Sequence, residues 1–263
     1  MKGSIKKGLC VIALAAVAAA WAGAQHVPIF PQGDVELQSR AQLVAEIGNW
    51  DVLAELLGRL WDEDVPLHSY ESVTLGGYYR LFPNLKLGAL YRLQAGARHD
   101  DDVIANLSTN QWDWNNTSAR LENLLMLDAS PRFLLDFLPG RDWVFMVKGR
   151  FIYNASYHNE MSLMARPELT WFWILDRVPI LNVSLSYEMY FPLNFSSTLV
   201  YESYPYVTLL YHATPEIGIE LAGAYKTTVW STSASWTAAA WGTYSVPVNT
   251  WSFSLGVVYT PSF

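Results

Sequence analysis

The chain has 263 residues, of which 51% are hydrophobic, 14% are aromatic and only 16% are charged. A typical soluble domain is about 25% charged, so this chain is short of charge, and its ordinary glycine and proline contents exclude collagen-like and disordered classes. The formal net charge of −7 argues against nucleic acid as a partner, because phosphate recognition needs a positive surface.

Residues 1–24 have the three-part layout of a secretory signal peptide. Three lysines give a positive start, residues 8–21 form an apolar run, and 22–24 supply small residues for cleavage. The run is shorter than the roughly 20 residues of a membrane-spanning helix, which disfavours the alternative of an uncleaved anchor. Cleavage would remove the single cysteine, Cys10. A thiol-free mature chain excludes a disulfide framework, a Cys-ligated metal and a Cys nucleophile.

The segment 25–69 is predicted to hold a linker followed by two short amphipathic helices. Residues 25–34 contain two prolines and are typical of an extended linker. Over 35–62 apolar residues recur at steps of three and four, which is helical periodicity, with a break at 48–51 where a second helix could be capped. We expect the helices either to pack as a periplasmic element or to plug a larger fold. The apolar positions are Leu43, Val44, Ile47, Val52, Leu53, Leu56, Leu57 and Leu60.

From residue 70 to the end the hydrophobic period changes to two. In 85–98, for example, leucine, alanine and tyrosine alternate with lysine, arginine and glutamine, which is the pattern of a strand with one apolar face. Short links with turn residues separate several such runs, which predicts an antiparallel meander. About ten strands (8–12) are expected: 70–81, 85–98, 118–129, 143–154, 161–174, 180–191, 198–211, 215–226, 233–245 and 250–263.

The length of these strands and the placement of their aromatic residues favour a membrane protein. Many runs reach 11–14 residues, whereas strands of soluble proteins are usually five or six residues long and about 9–11 tilted residues cross a bilayer. Aromatic residues near strand ends are typical of interfacial girdles, with ordinary sandwich-core aromatics as the alternative. The predicted girdle residues are Tyr70, Trp143, Trp171, Trp173, Tyr190, Tyr211, Tyr244, Trp251 and Tyr259.

The C-terminus carries a resemblance to a known class. Phe253, Leu255, Val257 and Tyr259 alternate towards the terminal Phe263. With the leader and the meander, this pattern resembles the bacterial outer-membrane β-barrel proteins, whose last strand typically ends in an aromatic residue that the assembly machinery reads. The resemblance implies an all-β, transmembrane, antiparallel up-and-down barrel over 70–263. It also implies the outer membrane as the location, with its lipid and its assembly machinery as partners.

One expectation conflicts with that class. If the last strand ends in the periplasm, the ten-strand assignment places the tight turns at 83–84, 176–179, 214–215 and 247–249 outside. The long link 99–117 would then face inward, which reverses the usual arrangement of short periplasmic turns and long external loops.

In such a barrel the polar strand faces line the lumen. The first half of the chain supplies mainly bases and the second half mainly acids, which predicts basic and acidic walls opposite one another. The structure could use them as a transverse field that orients small polar solutes or as an ion-pair network that fills a small barrel. The predicted lining residues are Arg80, Lys86, Arg92, Arg98, Arg120, Lys148, Arg150, Arg166, Glu168, Glu188, Glu202, Glu216, Glu220 and Lys226.

The sequence thus predicts a narrow channel for small polar solutes, with no catalytic residue, metal or cofactor assigned. A non-conducting structural or adhesive barrel and a secreted soluble β protein are alternatives. An outer-membrane enzyme acting on lipid or peptide is a further alternative, which would use His158 with Ser156 or Ser162, although nothing in their spacing shows the third group of a triad. The acidic run 99–102 is either a divalent-cation site or a solvated loop. Trp112 and Trp114 could stack on sugars or sit at the membrane interface.

Overall fold

The computed structural model describes residues 35–62, 70–97, 99, 103–106, 111–114, 120–138, 142–196, 198–231 and 245–261. The predicted signal peptide 1–24, the linker 25–34, Arg98, Tyr244 and Phe263 lie outside these residues. Within them, no helix combines the length and the apolar character that crossing a membrane requires.

Eleven strands of the described residues close into one barrel, and two short ones form a separate hairpin. The barrel order is β1-β2-β3-β4-β7-β8-β9-β10-β11-β12-β13. The barrel strands are β1 (Val35–Ile47), β2 (Trp50–Asp62), β3 (Glu71–Phe82), β4 (Leu85–Ala95), β7 (Leu121–Leu134), β8 (Trp143–Asn154), β9 (Glu160–Leu175), β10 (Val178–Pro192), β11 (Glu202–His212), β12 (Ile217–Ser231) and β13 (Ser245–Tyr259). The hairpin is β5 (Val103–Asn106) with β6 (Gln111–Trp114), between β4 and β7.

The barrel closes through a parallel seam. Every other neighbouring pair is antiparallel, whereas β1 pairs with β13 in parallel, from Val35↔Trp251 to Leu43↔Tyr259. An odd number of strands in an up-and-down meander makes the first and last strands point the same way, so the seam has to be parallel. Closure satisfies the backbone groups that an open sheet would leave at its edges.

The prediction of two helices over 35–62 is wrong, because this segment forms the β1–β2 hairpin. Gly48 in its two-residue turn has a φ of +62°, which glycine adopts without strain. The apparent helical spacing arose because consecutive apolar residues point to opposite faces of the same strand. Val52 is exposed on the outer face and Leu53 is buried inside. The barrel therefore includes 35–62 and does not begin at residue 70.

The predicted strand 233–245 does not stand between β12 and β13, because these two strands pair directly, from Ile217↔Tyr259 to Ser231↔Ser245. This removes the conflict in orientation. The connections at the end of the barrel where β13 finishes, here called the turn end, are 48–49, 83–84, 135–142, 176–177 and 213–216. At the opposite, loop end lie the strand ends that 63–70, 96–120, 155–159, 193–201 and 232–244 connect. The two longest links, 96–120 and 232–244, therefore join strand ends away from the end at which β13 finishes.

Side chains alternate between an apolar outer face and a polar inner face. Leu127 and Leu255 on the outside are 59% and 55% exposed, whereas Asp128 and Glu220 on the inside are buried. A water-soluble domain has the opposite arrangement, since it buries its apolar side chains. A small apolar cluster of Leu53, Leu90 and Met126 also lies inside.

Candidate functional site

The lumen contains two adjoining cavities. The upper cavity has a volume of about 440 Å³ and lies in the middle and loop-end part of the barrel. The lower cavity has a volume of about 260 Å³ and lies towards the turn end. Five side chains line both cavities and therefore lie between them. We call this set the neck: Gln42, Leu53, Tyr78, Lys148 and Arg166.

The upper cavity exists because the inner face differs in side-chain size around the barrel. The inner positions of β12 and β13, here called the open wall, carry small residues that line the cavity: Ala222, Ala224, Ser252 and Ser254. The inner positions of β3, β4, β7 and β8, here called the filled wall, carry large side chains that pack on one another. Among them, Met126 and Leu90 are 1% and 4% exposed. The upper cavity therefore extends to the open wall, whereas the lower cavity is lined by β1–β4 and β7–β9.

Asp128 is the centre of the ion-pair network in the filled wall. Arg150 donates hydrogen bonds from Nε and Nη2 to its two carboxylate oxygens at 2.7 and 2.8 Å. The Tyr78 hydroxyl donates a third at 2.8 Å, and Lys148 Nζ lies 3.1 Å from Oδ2. Lys148 also donates to the Tyr78 hydroxyl oxygen at 3.0 Å. One carboxylate thus holds two cations and a neck tyrosine in place.

Glu188 is the centre of a second group, on β9–β11. The hydroxyls of Tyr204 and Tyr206 donate to its carboxylate at 2.7 and 3.3 Å, and Tyr190 donates a further hydrogen bond. Arg166 Nη1 lies 3.8 Å from Glu188 and donates to the Tyr206 hydroxyl at 3.0 Å. Glu188 is therefore satisfied mainly by tyrosines, and Arg166 touches it only loosely.

Further ion pairs lie inside the barrel. Arg40 contacts Glu220 at 2.7 Å and so joins β1 to β12 on either side of β13. Lys226 lies 3.1 Å from Glu202. The remaining pairs involve the first hairpin: Arg40–Glu55 at 3.9 Å, Arg92–Glu55 at 3.4 Å, Arg59–Glu36 at 3.0 Å, Arg80–Asp51 at 3.8 Å and a close Lys86–Asp51 contact.

Most of the predicted lining residues lie at the cavities. Those at the upper cavity are Arg92, Lys148, Arg150, Arg166, Glu188, Glu202, Glu220 and Lys226, and Lys86 is at the lower one. Arg80 contacts Asp51, and Glu168 lies 3.4 Å from Arg166. Arg120 lies 4.7 Å above the Tyr157 ring near the loop end. Glu216 sits in the 213–216 turn, and Arg98 lies outside the described residues.

The expected separation of basic and acidic walls is wrong for these residues. The bases of the first half are paired with nearby acids: Asp51 with Lys86, Glu55 with Arg92, and Asp128 with Lys148 and Arg150. Asp51 and Glu55 were hidden in the segment interpreted as helical. Strand alternation could have revealed them, since both occupy inner positions of β2.

The tyrosines of the lumen were also missed by sequence reasoning. Tyr190 was predicted to belong to an interfacial girdle, which is wrong, because it lines the upper cavity together with Tyr204 and Tyr206. Its position two residues after Glu188, on the same strand face, would have placed it inside.

His99 contacts the loop end of the lumen. Its Nε2 lies 2.6 Å from Glu122, which is fully buried and also accepts hydrogen bonds from Gln94 and Asn154. The His99 ring stacks on Tyr157 with centroids 3.8 Å apart. Residues 100–102 of the candidate cation site lie outside the described part of the chain, within which no cluster of His, Cys, Asp and Glu is suited to hold a metal.

Of the other candidate positions, the structure describes the 155–159 turn and the last strand. His158 is exposed in the 155–159 turn with a φ of 45°, and the Ser156 hydroxyl accepts hydrogen bonds from the backbone and side chain of Asn123. The side chains of Trp112 and Trp114 lie outside the described residues. In the last strand, Phe253, Leu255, Val257 and Tyr259 are exposed on the outer face. No protein-family model matches the chain, and no curated protein matches it.

Proposed function

We propose that this protein is an integral barrel of the bacterial outer membrane whose lumen is a narrow channel for small polar solutes. One observation carries the proposal: a mostly polar cavity and a smaller, mostly apolar one share the neck residues inside a closed barrel whose outer face is apolar. Water-soluble proteins rarely expose contiguous apolar areas of this extent, and such areas mark membrane or protein contacts.

The outer aromatic residues support a membrane-spanning barrel. On β8, Trp143 and Tyr153 share the outer face and lie ten residues apart. With a rise of about 3.3 Å per residue and a tilt of about 40°, this separation corresponds to about 25 Å along the barrel axis, the height of an apolar band between two girdles. Other outer aromatics occur towards the turn end at Trp50, Tyr79, Trp173, Tyr211 and Tyr259, and nearer the loop end at Tyr91, Tyr187, Tyr225 and Trp251.

The proposed orientation has the turn end in the periplasm. Outer-membrane barrels place short turns there and longer loops outside, which agrees with the short connections beside the end of β13. In this proposal residues 1–24 direct export, the outer-membrane lipid contacts the apolar face, and the assembly machinery reads Phe253, Leu255, Val257, Tyr259 and Phe263.

The size of the barrel supports a narrow passage. Eight strands leave room only for side chains, whereas 16–18 strands enclose a wide aqueous channel, and this barrel has eleven. The upper cavity, at about 440 Å³, falls within the range of roughly 300–1,000 Å³ typical of small-molecule sites. A solute the size of a small organic acid or sugar would fit it.

The test is single-channel conductance. The full chain is expressed with its leader, purified from the membrane fraction in detergent and added to a planar bilayer. Ala222→Trp places a large ring in the upper cavity, and Leu221→Trp places the same ring on the outer face of the same strand. We expect discrete conductance steps that Ala222→Trp reduces and Leu221→Trp leaves unchanged. A silent bilayer, with protein shown to be folded by heat-dependent gel migration, would contradict the channel and favour a non-conducting structural barrel.

A further inference from the structure

We infer that the lumen selects small organic anions, with Lys148 and Arg166 at the neck as the residues that set the selectivity. The inference deepens the proposed function and rests on it, because it names the class of solute that the channel would pass. Carboxylates of the size of acetate are the simplest members of that class.

The composition of the neck supplies the first argument. Two of its five side chains are charged, and both are positive, whereas Gln42, Leu53 and Tyr78 are neutral. A solute that moves between the two cavities has to pass all five. Basic side chains at a constriction favour anions and repel cations, since the charge acts at short range and with little water to screen it.

The orientation of the ion pairs supplies the second argument. In each of the Lys or Arg pairs with Asp or Glu described above, the base is more exposed to the lumen than the acid. Lys148 is 12% exposed and Asp128 is 0% exposed, and Arg40 is 28% exposed against 8% for Glu220. The cause is side-chain length: Lys and Arg reach past the shorter carboxylates, which stay against the wall. The lumen therefore presents a positive inner layer backed by a negative outer one.

The balance of lining charges agrees with this layering. Of the described residues, eight basic and six acidic side chains line the two cavities, although the whole chain has a formal net charge of −7. The bases are Arg40, Lys86, Arg92, Arg132, Lys148, Arg150, Arg166 and Lys226, and the acids are Glu36, Asp51, Glu55, Glu188, Glu202 and Glu220.

Arg166 is the neck residue best suited to hold a carboxylate. Its contacts with Glu168 and Glu188, at 3.4 and 3.8 Å, are longer than the roughly 2.8 Å of a charge-assisted hydrogen bond, and its Nη1 donates to the neutral Tyr206 hydroxyl at 3.0 Å. The guanidinium fork therefore keeps capacity for an anion. Tyr204 and Tyr206 line the same cavity and hold the Glu188 carboxylate with their hydroxyls.

The test is the reversal potential of the channel in a planar bilayer. The full chain is purified from membranes, and the potential is measured under a tenfold gradient of potassium chloride and then of potassium acetate. We expect wild-type protein to pass both anions at least about threefold better than potassium. Arg166→Gln should bring the ratio of anion to potassium permeability close to one, and Glu188→Gln should raise this ratio. Arg177→Gln, which removes a positive charge from an exposed turn outside both cavities, is the matched control and should leave it unchanged.

The outcomes separate the two proposals. A conductance that prefers potassium, or that shows no preference, overturns the anion selectivity and leaves the channel standing. If Arg166→Gln leaves the anion preference unchanged, the neck does not set the selectivity. If the Arg166 variant does not fold, Lys148→Gln tests the same point. Folded protein without any conductance overturns the channel itself and the selectivity with it.

Discussion

The filled wall and the open wall of the barrel share the same strand alternation and differ in the size of their inner side chains. On both, every second side chain faces inward, so the strand pattern alone cannot distinguish them. The filled wall places Leu90 and Met126 inside, where they pack in one apolar cluster, and the open wall places Ala222 and Ser254 there. Alternation therefore decides which residues face the lumen, and side-chain size decides how much lumen remains.

The two walls also use charge differently. In the filled wall, Asp128 is fully enclosed by Arg150, Lys148 and Tyr78, so its ion pairs are part of the packing. Next to the open wall, Lys226 and Glu202 form a pair that stays partly exposed to the cavity. Variants that break the same kind of contact on each wall should separate these two roles.

The largest effect is expected from Asp128→Ala. Removing this carboxylate leaves Lys148 and Arg150 buried without their acid, which costs about 3–5 kcal/mol for a buried pair that loses one partner. Glu202→Gln breaks a pair whose side chains are 29% and 18% exposed, so it should cost less than Asp128→Ala, because the remaining charge is less buried. Urea unfolding in detergent micelles, followed by tryptophan fluorescence, measures both. Equal losses of unfolding free energy in the two variants would show that ion pairs contribute equally to the stability of the two walls.

A somewhat smaller effect is expected from Met126→Ala. This side chain is 1% exposed, and truncating a buried methionine to alanine typically costs about 2–5 kcal/mol, because a cavity remains. Ser252→Ala removes a single hydroxyl from the open wall and should change stability by less than about 0.5 kcal/mol. The same unfolding experiment tests the pair, and a stable Met126→Ala protein would mean that the filled wall can collapse around the missing side chain.

The smallest effect of the three is expected from alanine at Gly76. Its φ is +156°, and an added Cβ would lie 2.3 Å from the carbonyl oxygen of Ala89 and 2.7 Å from Leu90 Cα. Backbone would have to move, at a cost of about 1–3 kcal/mol. Gly256 on the open wall is the control, since its added Cβ would meet Arg40 and Glu220 at 3.4 Å. If thermal unfolding placed the two variants at the same midpoint, the filled wall would have room that the structure does not show.

Much of the fold could be predicted from the period of two, and the failures have physical causes. Residues such as 85–98 have a clean alternation because one face is apolar and the other polar. The hairpin 35–62 breaks that pattern, since Leu53 lies in the apolar cluster inside the lumen while Val52 faces outward. An inner apolar residue beside an outer one imitates the spacing of a helix.

The candidate site could be predicted only in part. Which residues face inward follows from alternation, and most of the predicted lining residues do lie at the cavities. Which base meets which acid depends on strand register and on the closure of the barrel. Glu220 pairs with Arg40, 180 residues away in the chain, and no local pattern could reveal that contact.

The parallel seam has a consequence for how the protein folds. In every other strand pair of the barrel, one link joins the two strands directly along the chain. In contrast, β1 and β13 are separated by almost the whole length of the described barrel. Contacts of such long sequence separation form late, because loop closure costs entropy before the contact repays it. The last strand has to be synthesised before the first one can find its partner. Until then one edge of β1 has unpaired backbone groups, which other chains could pair with unless that edge is protected.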